Sequence, residues 1–181
     1  MEITALFLDM RDFTGYAERP QASVVVSVLN ELFEKAVPII RSHGGQVDKF
    51  IGDGLLAVFG APKPLDNHAK TAVHAATDIA VINEDINSKS RVGIGVNSGI
   101  VVAGSIGGSG RLEFTVIGDV VNVAARVEAV TRSTGDTILL TDETRRLLSV
   151  ATAKSLISRG RLTLKGKSVK TTLHTPGKSV G

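Results

Sequence analysis

Apolar and polar positions alternate over residues 3–9, where β-branched and large side chains crowd, and this pattern predicts a strand. A polar loop, "DMRDFTGY", follows. Apolar residues at 25, 28, 29, 32, 33, 36, 39 and 40 then keep helical spacing over 24–40. Pro38 is expected to kink or tighten the last turn of that helix, and "HGG" at 43–45 to stop it. Runs at 47–51 and 55–59 flank Gly52-Asp53-Gly54 and read as a hairpin. Asp66 is the expected cap of a second helix reaching Asn83. A strand over 91–97, a turn at Ser98-Gly99 and a strand over 100–105 come next, with "GGSGR" at 107–111 as a flexible loop. The segment 114–117 is extended. Asp119 is expected to cap a helix to Thr131 and Asp142 one to Leu148, with a strand over 137–140 between them. Strands over 156–164 and 171–175 close the chain, and residues 176–181 read as a frayed tail.

The order strand, helix, strand, strand, helix, strand is the split βαβ arrangement. The expected fold class is therefore α+β: a ferredoxin-like βαββαβ core with an antiparallel sheet, helices on one face and a C-terminal extension. No repeat or linker divides residues 1–175, which read as a single domain. Many functions share such a fold, so the site must carry the functional argument.

Composition narrows the classes. With 43% hydrophobic and 22% charged residues, the chain has ample core for a soluble globular protein. It has no cysteine, which removes disulfides and thiolate metal sites and fits a reducing, cytoplasmic setting. The start "MEITALFLDM" lacks the basic opening of a signal peptide, and no apolar run is long enough for a membrane span. Net charge is +3, with basic residues densest in "SRGRLTLKGKSVK". A solvated face accounts for that cluster, as does an anionic small substrate. With one tyrosine and no tryptophan there is little to stack bases on, so nucleic acid is not an expected partner. The four histidines show no ligand spacing and are given no role.

The stretch "KFIGDGLLAVFGAP" at 49–62 puts an acid at the tip of an otherwise apolar hairpin. Taken alone, Asp53 is a turn residue and Asp9 a loop cap. In a ferredoxin-like sheet, however, the end of the first strand and the tip of this hairpin lie at one edge. Two carboxylates there, without cysteine or histidine, make a hard oxygen site suited to Mg²⁺ or Mn²⁺, and two ions can share such a pair. The loop "DMRDFT" leads from strand to helical segment. Backbone N–H groups at a helix start favour anions, which places Phe13 and Thr14 against a triphosphate.

Five stretches, in order, resemble the class III nucleotidyl cyclase catalytic domain, the cyclase homology domain of adenylate and guanylate cyclases: "FLDMRDFT", "GGQVDKFIGDGLLAVFG", "RVGIGVNSG", "FTVIGDVVNVAARVEA" and "LKGK". The resemblance covers nearly the whole chain. It implies closure of a nucleoside triphosphate's 3′-hydroxyl onto its own α-phosphate, with pyrophosphate leaving. It implies that Asp9 and Asp53 hold two Mg²⁺ or Mn²⁺ ions per site, with the backbone carbonyl of Met10 as a further ligand. Asn122 and Arg126, four apart on one helix, match the asparagine that orients the ribose and the arginine that stabilises charge at the α-phosphate. Lys49 matches the lysine that reads adenine N1, and Thr115 its partner position. Many animal adenylate cyclases carry aspartate there, whereas many bacterial members carry threonine or serine. Arg91 and Lys165 match phosphate-contacting positions, with Lys167 as an alternative to Lys165.

The implied function is an adenylate cyclase acting on ATP. The implied assembly is a homodimer with two shared sites, because in the family the metal acids and the Asn/Arg/Lys set of one site come from different subunits. This chain carries both half-sets. The alternatives are a guanylate cyclase, against which Lys49 argues, and a degenerate regulatory nucleotide-binding domain, whose signature would be a lost metal acid, Asn or Arg. A diguanylate cyclase would carry a "GGDEF"-like run where "IGDGL" stands.

Overall fold

The computed structural model describes residues 1–11, 22–86, 92–108, 110–166 and 168–177, with backbone only at 22–25, 84–86 and 111–113. The opening strand is β1 (Glu2–Met10), followed by helix α1 (Ala22–Ser42) and the hairpin β2 (Gln46–Ile51) and β3 (Gly54–Phe59). Helix α2 (His68–Ile86) leads to β4 (Val92–Ile100), and a second hairpin pairs β5 (Val102–Gly108) with β6 (Arg111–Ile117). Helix α3 (Asp119–Thr134), β7 (Ile138–Thr141), the short helices α4 (Asp142–Arg146) and α5 (Val150–Ser155), β8 (Leu156–Leu162) and β9 (Thr171–Pro176) complete the fold.

The main sheet has the order β2-β3-β1-β4-β7-β9-β8, and β5-β6 form a separate two-stranded sheet. Its first four strands are the expected split βαβ core. Pairing is antiparallel throughout except between β4 and β7. Alternate side chains of β1 face opposite layers. Leu6, Leu8 and Met10 pack with Leu32, Ile40, Val73 and Ile79 from α1 and α2. Ile3 and Ala5 pack with Val58, Val120 and Ala124, which brings α3 onto the other face. Helices thus cover both faces rather than one. The central strands are buried on both sides, so β3 reads as the unbroken run "GLLAVF" instead of alternating.

Several local expectations change. No turn forms at Ser98-Gly99; β4 runs through both and pairs with β1 out to Glu2↔Ile100. Ser98 sits in a buried hydroxyl chain with Thr4 and Thr144, at 2.7 and 3.0 Å. A Cβ on Gly99 would lie 2.9 Å from Val120, so the glycine serves the approach of α3. The same holds at Gly95, whose Cβ would meet the Ala124 carbonyl at 2.1 Å. The "GGSGR" stretch is mostly strand: Gly107 pairs with Leu112 and Gly108 with Arg111, while Ser109 lies outside the described residues. Helix α1 contains Pro38 and ends at Ser42. Helix α2 starts two residues past Asp66, at His68. The caps of α3 and α4 are Gly118 and Thr141, and the Thr141 hydroxyl accepts from the Thr144 N–H. Asp119 and Asp142 are instead first-turn acids, where a carboxylate meets the positive end of the helix. Pro176 belongs to β9, and 178–181 lie outside the described residues. Among the described residues no helix is long and apolar enough to cross a membrane.

Candidate active site

Antiparallel register puts the two sequence-predicted acids together. Asp9, next to last in β1, pairs across with Gly54, the residue after Asp53. Ile51 pairs with Gly54, so Gly52 and Asp53 form a two-residue turn, with Gly52 at φ 60° where a side chain would be strained. Gly54 makes the room: a Cβ there would sit 2.4 Å from the Leu8 carbonyl and 3.0 Å from Asp9 Oδ1. Burial holds the Asp9 carboxyl above the ordinary range and the negative charge of Asp53 adds to this, while Arg132 opposes both. Two crowded carboxylates with hard oxygens are a donor set that favours a divalent cation. Among the described residues no third histidine or carboxylate joins them as a ligand cluster. Met10 ends β1 with its side chain buried in the core.

Arg132, which the sequence reading did not single out, completes this corner. Its Nη2 donates to Asp9 Oδ2 at 2.8 Å and its Nη1 to both Glu128 oxygens at 3.2 Å. Glu128 is 2% exposed, and burial pushes its pKa up despite Arg132. The i, i+4 spacing of Glu128 and Arg132 was visible in sequence. The link to Asp9, 123 residues away, was not. Arg11 anchors the end of β1 by donating to the Asp136 carbonyl.

A second cluster lies four residues back on the same hairpin. Lys49 Nζ donates to Thr115 Oγ1 at 3.3 Å, so β2 and β6 bring these two predicted partners together. Asp48 joins them, 3.2 Å from Lys49 Nζ.

Asn122 is exposed on α3, and Arg126, one turn on, lies against the turn at Lys165-Gly166: a Cβ on Gly166 would be 3.7 Å from its Nη2. Glu128, two residues on from Arg126, is held by Arg132. Lys165 is exposed. Asn122 precedes Arg132, the Asp9 contact, by ten residues, about 15 Å along the helix. Within one chain, then, Asn122 stands about three helical turns from the Arg132 contact to Asp9. Phe13, Thr14, Arg91 and Lys167 lie outside the described residues.

The family model described as "Adenylate and Guanylate cyclase catalytic domain" matches residues 1–175. The chain is 34% identical over 146 residues, 76% of its length, to "Adenylate cyclase 1" of Rhizobium meliloti, and spans only 22% of that protein. It superposes on the adenylyl cyclase CyaB from P. aeruginosa with a TM-score of 0.83 at 26% identity, covering 98% of this chain and 94% of the other. It superposes on the guanylyl cyclase Cya2 with a TM-score of 0.84 at 29% identity, covering 99% and 95%.

Proposed function

The chain belongs to the adenylate and guanylate cyclase catalytic domain family, and from that premise we propose that it is an adenylate cyclase, converting ATP to 3′,5′-cyclic AMP and pyrophosphate at two shared sites of a homodimer. The observation that carries the reading is the pairing of Lys49 with Thr115 on the hairpin that also bears Asp53. A lysine N–H beside a hydroxyl oxygen suits the N1 acceptor and N6 donor of adenine. Guanine presents a donor and an acceptor at the same two places.

Asp9 and Asp53 are the residues that would hold Mg²⁺ or Mn²⁺, the ions this family uses. Bound there, such ions supply positive charge that lowers the pKa of the attacking 3′-hydroxyl and neutralises the β- and γ-phosphates. The rest of the work falls to side chains. Asn122 holds the ribose so that its 3′-oxygen lies in line with the α-phosphate. The guanidinium of Arg126, beside the Lys165 turn, meets the charge that grows on the α-phosphate oxygens. Lys165, with Arg91, Phe13 and Thr14, binds the remaining phosphates.

The shared site is supported by the offset of Asn122 along α3 from the Arg132 contact to Asp9 within one chain. Apolar side chains exposed on β2 (Phe50, Ile51) and on the β5-β6 hairpin (Val102, Ile106, Ile117) support a partner surface. A guanylate cyclase is the second reading, favoured by the likeness to Cya2. Products formed from ATP and, separately, from GTP with Mg²⁺ or Mn²⁺, resolved by mass, distinguish the two. Cyclic AMP from ATP, lost in Asp53→Ala, is the expected result. Cyclic GMP as the main product would overturn the base assignment. No cyclic product from a dimer that binds nucleotide would point to a regulatory domain.

A further inference from the structure

The Asp48 carboxylate has no part in the reading above, yet it sits inside the base-reading cluster. Its side chain is 5% exposed, unusual for an acid on a sheet edge. The ladder between β2 and β3 slips at this point: Val47 pairs with Ala57 and Lys49 with Leu56, so Asp48 is the extra residue of a bulge. In a regular strand neighbours point to opposite faces; the bulge cancels that alternation and re-aims one side chain. Asp48 and Lys49 consequently converge on the same hydroxyl. Asp48 Oδ2 lies 3.2 Å from Lys49 Nζ and 3.5 Å from Thr115 Oγ1, and Lys49 Nζ lies 3.3 Å from that same Oγ1.

The donor inventory fixes the proton positions. An ammonium only donates and an ionised carboxylate only accepts, while a hydroxyl has one proton and two lone pairs. Lys49 donates to both oxygens. Thr115 accepts from Lys49 on one lone pair and gives its proton to Asp48. What remains to face a ligand is one Lys49 N–H beside one free Thr115 lone pair.

We propose that Asp48 is a specificity-determining positioning residue: it locks the Thr115 hydroxyl as an acceptor, so that the Lys49–Thr115 pair is complementary to adenine and mismatched to guanine at both contacts. This rests on the base assignment made under Proposed function. Adenine N1 accepts from Lys49 and its N6 amino group donates to Thr115. Guanine would set N1–H against the Lys49 N–H and O6 against the Thr115 lone pair. Without Asp48 the Thr115 proton is free to turn toward O6, which removes one of the two mismatches.

The test compares kcat/KM for ATP and GTP in the full chain with Mn²⁺, for the unaltered protein, Asp48→Ala, Asp48→Asn, Thr115→Val and the double variant Asp48→Ala/Thr115→Val. Asp48→Ala is expected to narrow the ATP-over-GTP ratio by about tenfold, through both a lower ATP value and a higher GTP value. Asp48→Asn, which keeps a carbonyl oxygen in the same place, should recover part of the ratio. In the Thr115→Val background Asp48→Ala should leave the ratio unchanged, because the hydroxyl it orients is gone. A purely structural aspartate would lower both rates together and leave the ratio intact, and that result in the folded, dimeric Asp48→Asn and Asp48→Ala proteins would overturn the proposal while leaving the adenylate cyclase reading in place. An unaltered protein that prefers GTP would instead remove that reading, and this inference with it.

Discussion

One hairpin carries two acids that are put to opposite uses. At its tip, Asp53 crowds Asp9, and burial plus this repulsion holds Asp9 above the ordinary carboxylate range. Five residues back, the Asp48 side chain is buried, but Lys49 stands 3.2 Å away and neutralises it within the chain. At the first pair Arg132 satisfies one Asp9 oxygen and divides itself with Glu128. The second is electrically complete. The difference teaches how to separate a charge waiting for a ligand from a charge that shapes one. A carboxylate held near its like is destabilised until something positive arrives. A carboxylate held by a lysine and a hydroxyl fixes where their protons point.

The largest expected effect breaks the crowded pair. Asp53→Asn should lower cyclic nucleotide formation by about a thousandfold. The same change should raise the metal-free melting temperature by about 2–4 °C, because it relieves the repulsion on Asp9. Activity and stability moving in opposite directions mark a functional acid. A melting temperature that falls instead would mean that Asp53 is a structural turn residue.

A smaller effect concerns Arg132, which contacts Asp9 at that corner. Arg132 is 44% exposed, so solvent screens its pull on Asp9. Arg132→Gln should therefore tighten Mn²⁺ binding in the absence of nucleotide by only about fivefold, read from the free-Mn²⁺ electron paramagnetic resonance signal. Weaker binding would mean that Arg132 orients Asp9 for the ion rather than competing with it.

The smallest effect is in the pH profile of metal-free stability. Asp9 and Glu128 are shifted up, chiefly by burial, so the folded state holds their protons more tightly than the unfolded chain does. Their contribution is present below the ordinary carboxylate range and is lost as pH rises through their raised values. Asp142 is shifted down, first by its hydrogen bond from Arg145 and further by His174. Its contribution is present above the ordinary range and is lost as pH falls through its lowered value. Melting temperatures across acid to neutral pH should show both limbs. Asp142→Asn should flatten only the acid limb, and Asp53→Asn only the other.

Much of this was legible in the chain. The hairpin announced itself through Gly-Asp-Gly between apolar runs, and Asp9 followed from the strand order. Lys49 and Thr115, 66 residues apart, were joined only by a family pattern, which the β2-β6 contact then matched. The misread places share one cause: a local signal was overridden by a contact distant in sequence. Ser98-Gly99 has turn chemistry, but Ser98 is held by Thr4 and Thr144, and α3 needs the space at Gly99. Asp142 has cap chemistry, but Thr141 takes the cap, and Asp142 faces His174, 32 residues away, besides its own arginines. Arg132 and Asp48 escaped notice for the same reason. Each looks like an ordinary surface charge until the fold sets it beside Asp9 or Thr115.

The proposed shared site assigns the two ends of this hairpin to different active sites, with Asp53 completing one and the Lys49–Thr115 cluster, with Asn122 and Arg126, completing the other. Mixing Asp53→Ala chains with Asn122→Ala chains, each inactive alone, tests it most directly. Random pairing should place one intact site in each mixed dimer and return about a quarter of the unaltered activity, since half of the dimers are mixed and each has one of two sites. No recovery, with mixed dimers confirmed by mass, would contradict it and place both half-sets in the same site of a single chain.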